Sequence, residues 1–221
     1  MKITVYGDSI LKAVIMEDGK YHMERGWEKR LAEEHGLEIR NKAHFGNTIT
    51  RAMPQIEKDC AEQAAGELAV LEFGGNDCDF DWAAIAADPG CDYESKTPPA
   101  RFEALYREAL QKLRASGRMP VVMTLPPIHS RRYLDFICRD GLSKANILRW
   151  LGDVEAISRW QGSYSDLVAR IAADAGARTV DLRRVFLCDG HSPEELLCSD
   201  GIHPSRLGQG LIFETLSAAL G

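Results

Sequence analysis

"KITVYGDSI" (Lys2–Ile10) is a short apolar run that breaks into Gly-Asp-Ser. The alternating, β-branched half reads as a strand, and Gly7 reads as the point where it stops. The Asp8-Ser9 pair beyond it decides the class of the protein. Asp and Ser commonly cap a helix that comes after a strand. A serine in the same place can instead be a nucleophile, held at a sheet edge where substrates gather.

Four further runs resemble the first: "LEIRN" (37–41), "LAVLEF" (68–73), "MPVVMTL" (119–125) and "RTVDL" (178–182). Helical periodicity lies between them. Phe102, Leu105, Tyr106, Ala109, Leu110 and Leu113 step by threes and fours, as do Leu167, Val168, Ile171 and Ala172, which Gly176 terminates. A last helix is expected to open on Pro204 and to bury Leu207, Leu211, Ile212, Leu216 and Leu220. Strands alternating with helices predict a parallel sheet between two helical layers. With no repeat and no linker, the 221 residues read as one domain over 1–221. Two excursions, near 78–100 and 126–162, exceed what the minimal fold needs and read as functional walls or lids. For the second, extra packing or a dimer contact is an equal alternative, so homo-oligomerisation stays open.

A net charge of −6 argues against nucleic acid or an anionic membrane as the main partner. No apolar run reaches the ~18 residues of a membrane span. The six cysteines form no C-x-x-C pair, and the chain enters a charged strand at once. Both features lead to an expectation of reduced thiols and a cytoplasmic location.

Ligands of an open parallel sheet bind beyond the carboxyl ends of its strands. The residues expected there are Gly7-Asp8-Ser9, then Gly46 and Asn47, then Gly74-Gly75-Asn76-Asp77, then Pro126, Pro127 and His129, and finally Asp200 and His203 of "SDGIHP". Singly, each has an ordinary explanation as cap or turn. Together they meet the needs of acyl transfer. A serine hydroxyl needs a base, and histidine suits neutral pH. The imidazole needs a carboxylate to fix its tautomer, and Asp200 lies three residues before His203. The oxyanion needs fixed donors, which the Ser9 and Gly46 amides and the Asn76 carboxamide can supply.

With these blocks in this order, the chain closely resembles the SGNH (GDSL-type) hydrolases. Gly7-Asp8-Ser9, Gly46, the G-x-N-D of 74–77 and the D-x-x-H-P of 200–204 carry the resemblance across nearly the whole chain. It implies a three-layer α/β/α sandwich with a flavodoxin-like five-stranded parallel sheet. It also implies ester or thioester hydrolysis without metal or other cofactor. By the same match Ser9 is the nucleophile, His203 the base and Asp200 its partner, while Ser9, Gly46 and Asn76 form the oxyanion hole. Ile10 stands where the family's motif has Leu. Asp8 and Asp77 read as buttresses of the loops.

Other schemes lack their parts. Ser9-Ile10-Leu11-Lys12 spells S-x-x-K, but S-D-N and K-T-G are missing; a G-x-S-x-G elbow and a G-x-G-x-x-G turn are missing as well. His44, His129, His191 and His203 show no metal-ligand spacing. Cys78 reads as a small packing residue. A binding protein that had lost catalysis would be expected to have changed Ser9, Asn76 or His203. Acyl transfer to an acceptor other than water uses the same residues and stays open. For the substrate pocket, Asp8, Trp82, His129 and Arg131, with Asp79, Asp81, Arg132 and Tyr133, predict a polar wall with aromatic plates. That wall suits a small acyl ester, acetyl above all, on a polar carrier such as a sugar.

Overall fold

The computed structural model describes residues 2–220. Five parallel strands form the central sheet: β1 (Lys2–Tyr6), β4 (Glu38–Asn41), β5 (Leu68–Leu71), β6 (Met119–Met123) and β7 (Arg178–Val180), side by side in the order β4-β1-β5-β6-β7. Counting sheet strands alone, the first two neighbour each other in reverse, as in flavodoxin-like sheets.

Burial on both faces explains why the inner strands β1, β5 and β6 are so apolar, while the edge strands β4 and β7 are partly exposed. On β5, Leu68 and Val70 join Ile3, Val5, Val121 and Met123 in one core, against α1 (Trp27–His35) and α10 (Arg206–Leu220). Ala69 and Leu71 turn the other way and join Tyr6 and Val122 against α2 (Ile49–Cys60), α4 (Pro99–Ala115) and α7 (Ala156–Asp174). The three-layer sandwich is therefore the two-residue side-chain alternation of the strands, filled from both sides. No helix among the described residues is long and apolar enough to cross a membrane.

The two excursions meet in a third, smaller core. Trp82, Ile85 and Ala86 of α3 (Trp82–Ala87) pack with Tyr133 and Leu134 of α5 (Ser130–Cys138), Ile147 of α6 (Lys144–Leu151) and Ile157 of α7. Two short helices, α8 (Leu182–Cys188) and α9 (Pro193–Leu196), complete the chain before α10.

Three local expectations change. No helix comes directly after β1: turns over 9–13 lead into an antiparallel hairpin, β2 (Val14–Glu17) and β3 (Lys20–Met23). Ser9 therefore caps nothing. Pro204 does not open the last helix either; it bridges Leu197, and α10 begins at Arg206. Leu207 is exposed, because the helix docks through Gly208, where a Cβ would lie 2.2 Å from the Leu196 carbonyl oxygen.

Candidate active site

The loops after β1, β4, β5 and β6 and the segment before α10 open into one cleft of about 310 Å3 at the carboxyl edge of the sheet. Ser9 sits on the β1 loop, whose shape comes from Asp8. One Asp8 oxygen accepts the Ile10 N–H at 2.9 Å, and the Asp8 carbonyl accepts the Lys12 N–H at 3.1 Å. These bonds turn the chain sharply at the serine.

His203 and Asp200 arrive on one short loop. Asp200 Oδ1 accepts the Ile202 and His203 N–H groups, both at 3.1 Å, while Oδ2 lies 2.6 Å from His203 Nδ1. An anionic carboxylate there holds the proton on Nδ1 and leaves Nε2 bare. That nitrogen is 2.9 Å from Ser9 Oγ. Asp200, His203 and Ser9 are 0, 3 and 7% exposed, so the line of groups is shielded up to the hydroxyl that faces the cleft. Gly201, between them, has φ +75°, and a Cβ on it would lie 2.7 Å from both the His129 carbonyl oxygen and the Tyr133 nitrogen. Only glycine lets this loop press against the start of α5.

Gly46, in the left-handed region at φ +67°, lies beyond the end of β4. Its loop is tied to the serine loop, since the His44 N–H and Asn47 Nδ2 both donate to the Gly7 carbonyl. Neither the Ser9 nor the Gly46 N–H donates a hydrogen bond within the described residues. Asn76 Nδ2 spends one hydrogen on Asp8 Oδ2 at 2.7 Å and keeps its second. Ser9, Gly46 and Asn76 all line the cleft.

Behind these groups lie three buried carboxyls, Asp8, Glu72 and Asp77, none in an ion pair among the described residues. Asp77 accepts the Ile49 N–H at the head of α2, and burial pushes its carboxyl up to about 7. Burial also raises Asp8. Glu72 is raised well above the carboxylate range, by burial and then by the charge of Asp8. No N–H or hydroxyl reaches either Glu72 oxygen, whereas Asp8 accepts from Ile10 and Asn76, so Glu72 is the member of the pair that burial raises further.

The expected pocket wall is only partly there. Asp8, Asp79, Trp82 and Tyr133 line the cleft; Asp81, His129, Arg131 and Arg132 do not. Asp81 is exposed and caps α3 through the Ala84 N–H. His129 accepts the Arg132 N–H at the head of α5, its Nε2 faces Glu194 at 2.9 Å, and its own N–H donates to the Gly201 carbonyl. It clamps the His203 loop from outside. Arg131 points to solvent, and Arg132 binds the carbonyls of Glu194 and Leu197. The face that α5 does turn inward is Tyr133, Phe136 and Ile137. That i, i+3, i+4 stripe was the available signal. Cys78 is buried, its Sγ bonded to the Gly75 carbonyl, and burial pushes the thiol up. Sequence reasoning missed Tyr21 and Phe45, whose rings lie 5.0 and 5.8 Å from that of His203. The turn pair Asp18-Gly19, a strong hairpin signal, would have placed β2 and β3 and with them Tyr21.

A doubly wound sheet that carries hydroxyl, imidazole and carboxylate in line at its carboxyl edge, beside free N–H groups, is equipped for acyl transfer. The chain belongs to the GDSL-like lipase/acylhydrolase family, whose model matches residues 5–211, and is by that membership a serine-type carboxylic ester hydrolase. Among solved structures, TesA is similar at 22% identity (TM-score 0.62, covering 100% of this chain and 98% of TesA). The acetyl xylan esterase AlAXEase is similar at 20% (TM-score 0.63, 99% of both chains). Axe2, an acetylxylan esterase from Geobacillus stearothermophilus, is similar at 18% (TM-score 0.68, 100% of this chain and 94% of Axe2). Likeness at these identities carries the fold. No curated protein matches the chain.

Proposed function

We propose that the chain hydrolyses small carboxylic esters through a Ser9–His203–Asp200 triad and an acyl-enzyme. The observation that carries this reading is the unbroken, shielded line from Ser9 Oγ through both His203 nitrogens to Asp200, at 2.9 and 2.6 Å. Ser9 Oγ attacks the ester carbonyl carbon while its proton passes to His203 Nε2. The Ser9 and Gly46 N–H groups and the second Asn76 hydrogen receive the oxyanion. The C–O bond to the alcohol breaks as His203 returns the proton to the leaving oxygen. Water then repeats the sequence on the acyl-enzyme, which releases the acid and restores the hydroxyl. Asp200 holds the ring and balances the imidazolium without taking the proton.

The test is turnover of p-nitrophenyl esters by wild type and Ser9→Ala, with labelling by a fluorophosphonate. A folded Ser9→Ala protein is expected to lose roughly 10⁴-fold or more in kcat and to lose the label. Equal activity in the two proteins would end the proposal.

A further inference from the structure

We infer that the inner part of the cleft is an acyl chamber, selective for a medium-length unbranched acyl chain over acetyl. This rests on the roles just given to Ser9 and His203. His203 must protonate the departing alcohol, so the alcohol leaves beside its ring. Tyr21 and Phe45 face that ring and are 41 and 53% exposed, which makes this flank the mouth. The acyl substituent, on the other side of the carbonyl carbon, is directed inward past Asn76 and Cys78. There the lining is Phe80, Trp82, Tyr133, Phe136, Ile157 and Trp160, contributed by both excursions from the minimal fold.

The polar groups of this lining are already engaged with the protein. Asp79 accepts from Trp82 Nε1 and from the Tyr133 hydroxyl, both at 2.7 Å, and its other oxygen meets Lys96. Trp160 Nε1 donates to the Cys78 carbonyl, and Gln161 is held between the Pro126 carbonyl and Arg183. The chamber therefore presents mainly ring faces and aliphatic edges: the polar groups of Asp79, Trp82, Tyr133, Trp160 and Gln161 are engaged with the protein, and Glu72, whose oxygens have no partner among the described residues, is buried at the back of the cleft. The cleft as a whole, mouth and chamber together, measures about 310 Å3, and its aromatic inner part gives apolar surface that an acetyl group is too short to cover. Each methylene added to the acyl chain is worth about fourfold in binding until the space fills.

The experiment is kcat/KM across p-nitrophenyl acetate, butyrate, hexanoate, octanoate and laurate, for wild type and for Ala156→Phe, which adds a ring from the first turn of α7 into the chamber. Leu151→Phe, from the end of α6, is the second variant should the first fail to fold. The expected result is a rise of at least tenfold from acetate to hexanoate or octanoate, a fall at laurate, and at least a tenfold drop in the octanoate-to-acetate ratio in either variant. Acetate turned over as fast as hexanoate, with Ser9 labelled, would overturn the chamber and leave the hydrolase reading standing. An unchanged ratio in both variants would place the acyl chain elsewhere. No turnover of any ester and no label at Ser9 would overturn both.

Discussion

The two walls of the cleft are held by different forces. The wall at the strand ends is polar and tied by hydrogen bonds at nearly every step: Asp8 to Ile10 and Asn76, Asp200 to Ile202 and His203, Asn47 to Gly7, Asp77 to Ile49. The opposite wall is aromatic, and its order comes from the small core that α3, α5, α6 and α7 share. Hydrogen bonds fix direction, which a proton relay needs; packing fixes shape, which recognition of an apolar chain needs. Changes on the first wall should therefore appear in turnover, and changes on the second in selectivity.

The largest effect on turnover, short of removing a member of the proposed triad, is expected from Asn76→Ala. Losing one fixed oxyanion donor should lower kcat by about 10²–10³-fold. KM should change far less, and urea unfolding should place the variant close to wild type. A kcat within threefold of wild type would mean that Asn76 serves only to steady Asp8.

A change in the aromatic wall's own core should behave in the opposite way. Ile85 is fully buried under Trp82, and Ile85→Ala should destabilise by about 2–5 kcal/mol. Acetate turnover should stay within threefold while the octanoate-to-acetate ratio falls. If both esters lost activity equally, the two walls would not be independent.

Asp77→Asn is expected to leave turnover least changed, its effect lying in the pH dependence of stability. The Asp77 carboxyl is raised from an ordinary 3.8 to about 7, so between those pH values the folded chain holds a proton that the unfolded chain has released. Its contribution to stability is full below about pH 4 and is lost as pH rises through about 7. Asparagine carries no such proton. Wild type should thus lose ground against the variant from pH 4 to 7 in urea unfolding series; a constant difference would rule this out.

How far these features could be read from the chain differs by region. The inner strands β1, β5 and β6 were legible because burial on both faces demands apolar runs, the edge strands β4 and β7 because they recur in alternation with helices, and the helices of 102–113 and 167–172 because a stripe repeats every three to four residues. The hairpin was not legible in the same way: its strands are four residues each, β3 is exposed throughout, and only Asp18-Gly19 marks it. The Asp200–His203 pair was legible because both residues lie on one loop, where spacing alone brings them together. The expected pocket wall fails at Asp81, His129, Arg131 and Arg132, since adjacency to a helix start says nothing of the direction in which that helix will face.

The sequence alone determined the alternation of strand and helix, the edge at which the polar loops gather, and the residues able to carry acyl transfer. Each of these is set by local periodicity or by short spacing along one loop. The tertiary structure alone decided that Ser9 caps no helix, that Glu72 is buried beside Asp8 with its carboxyl raised, and that the inner cleft is aromatic. Those depend on which side chains from distant segments exclude water together, and burial of that kind is a property of the packed chain.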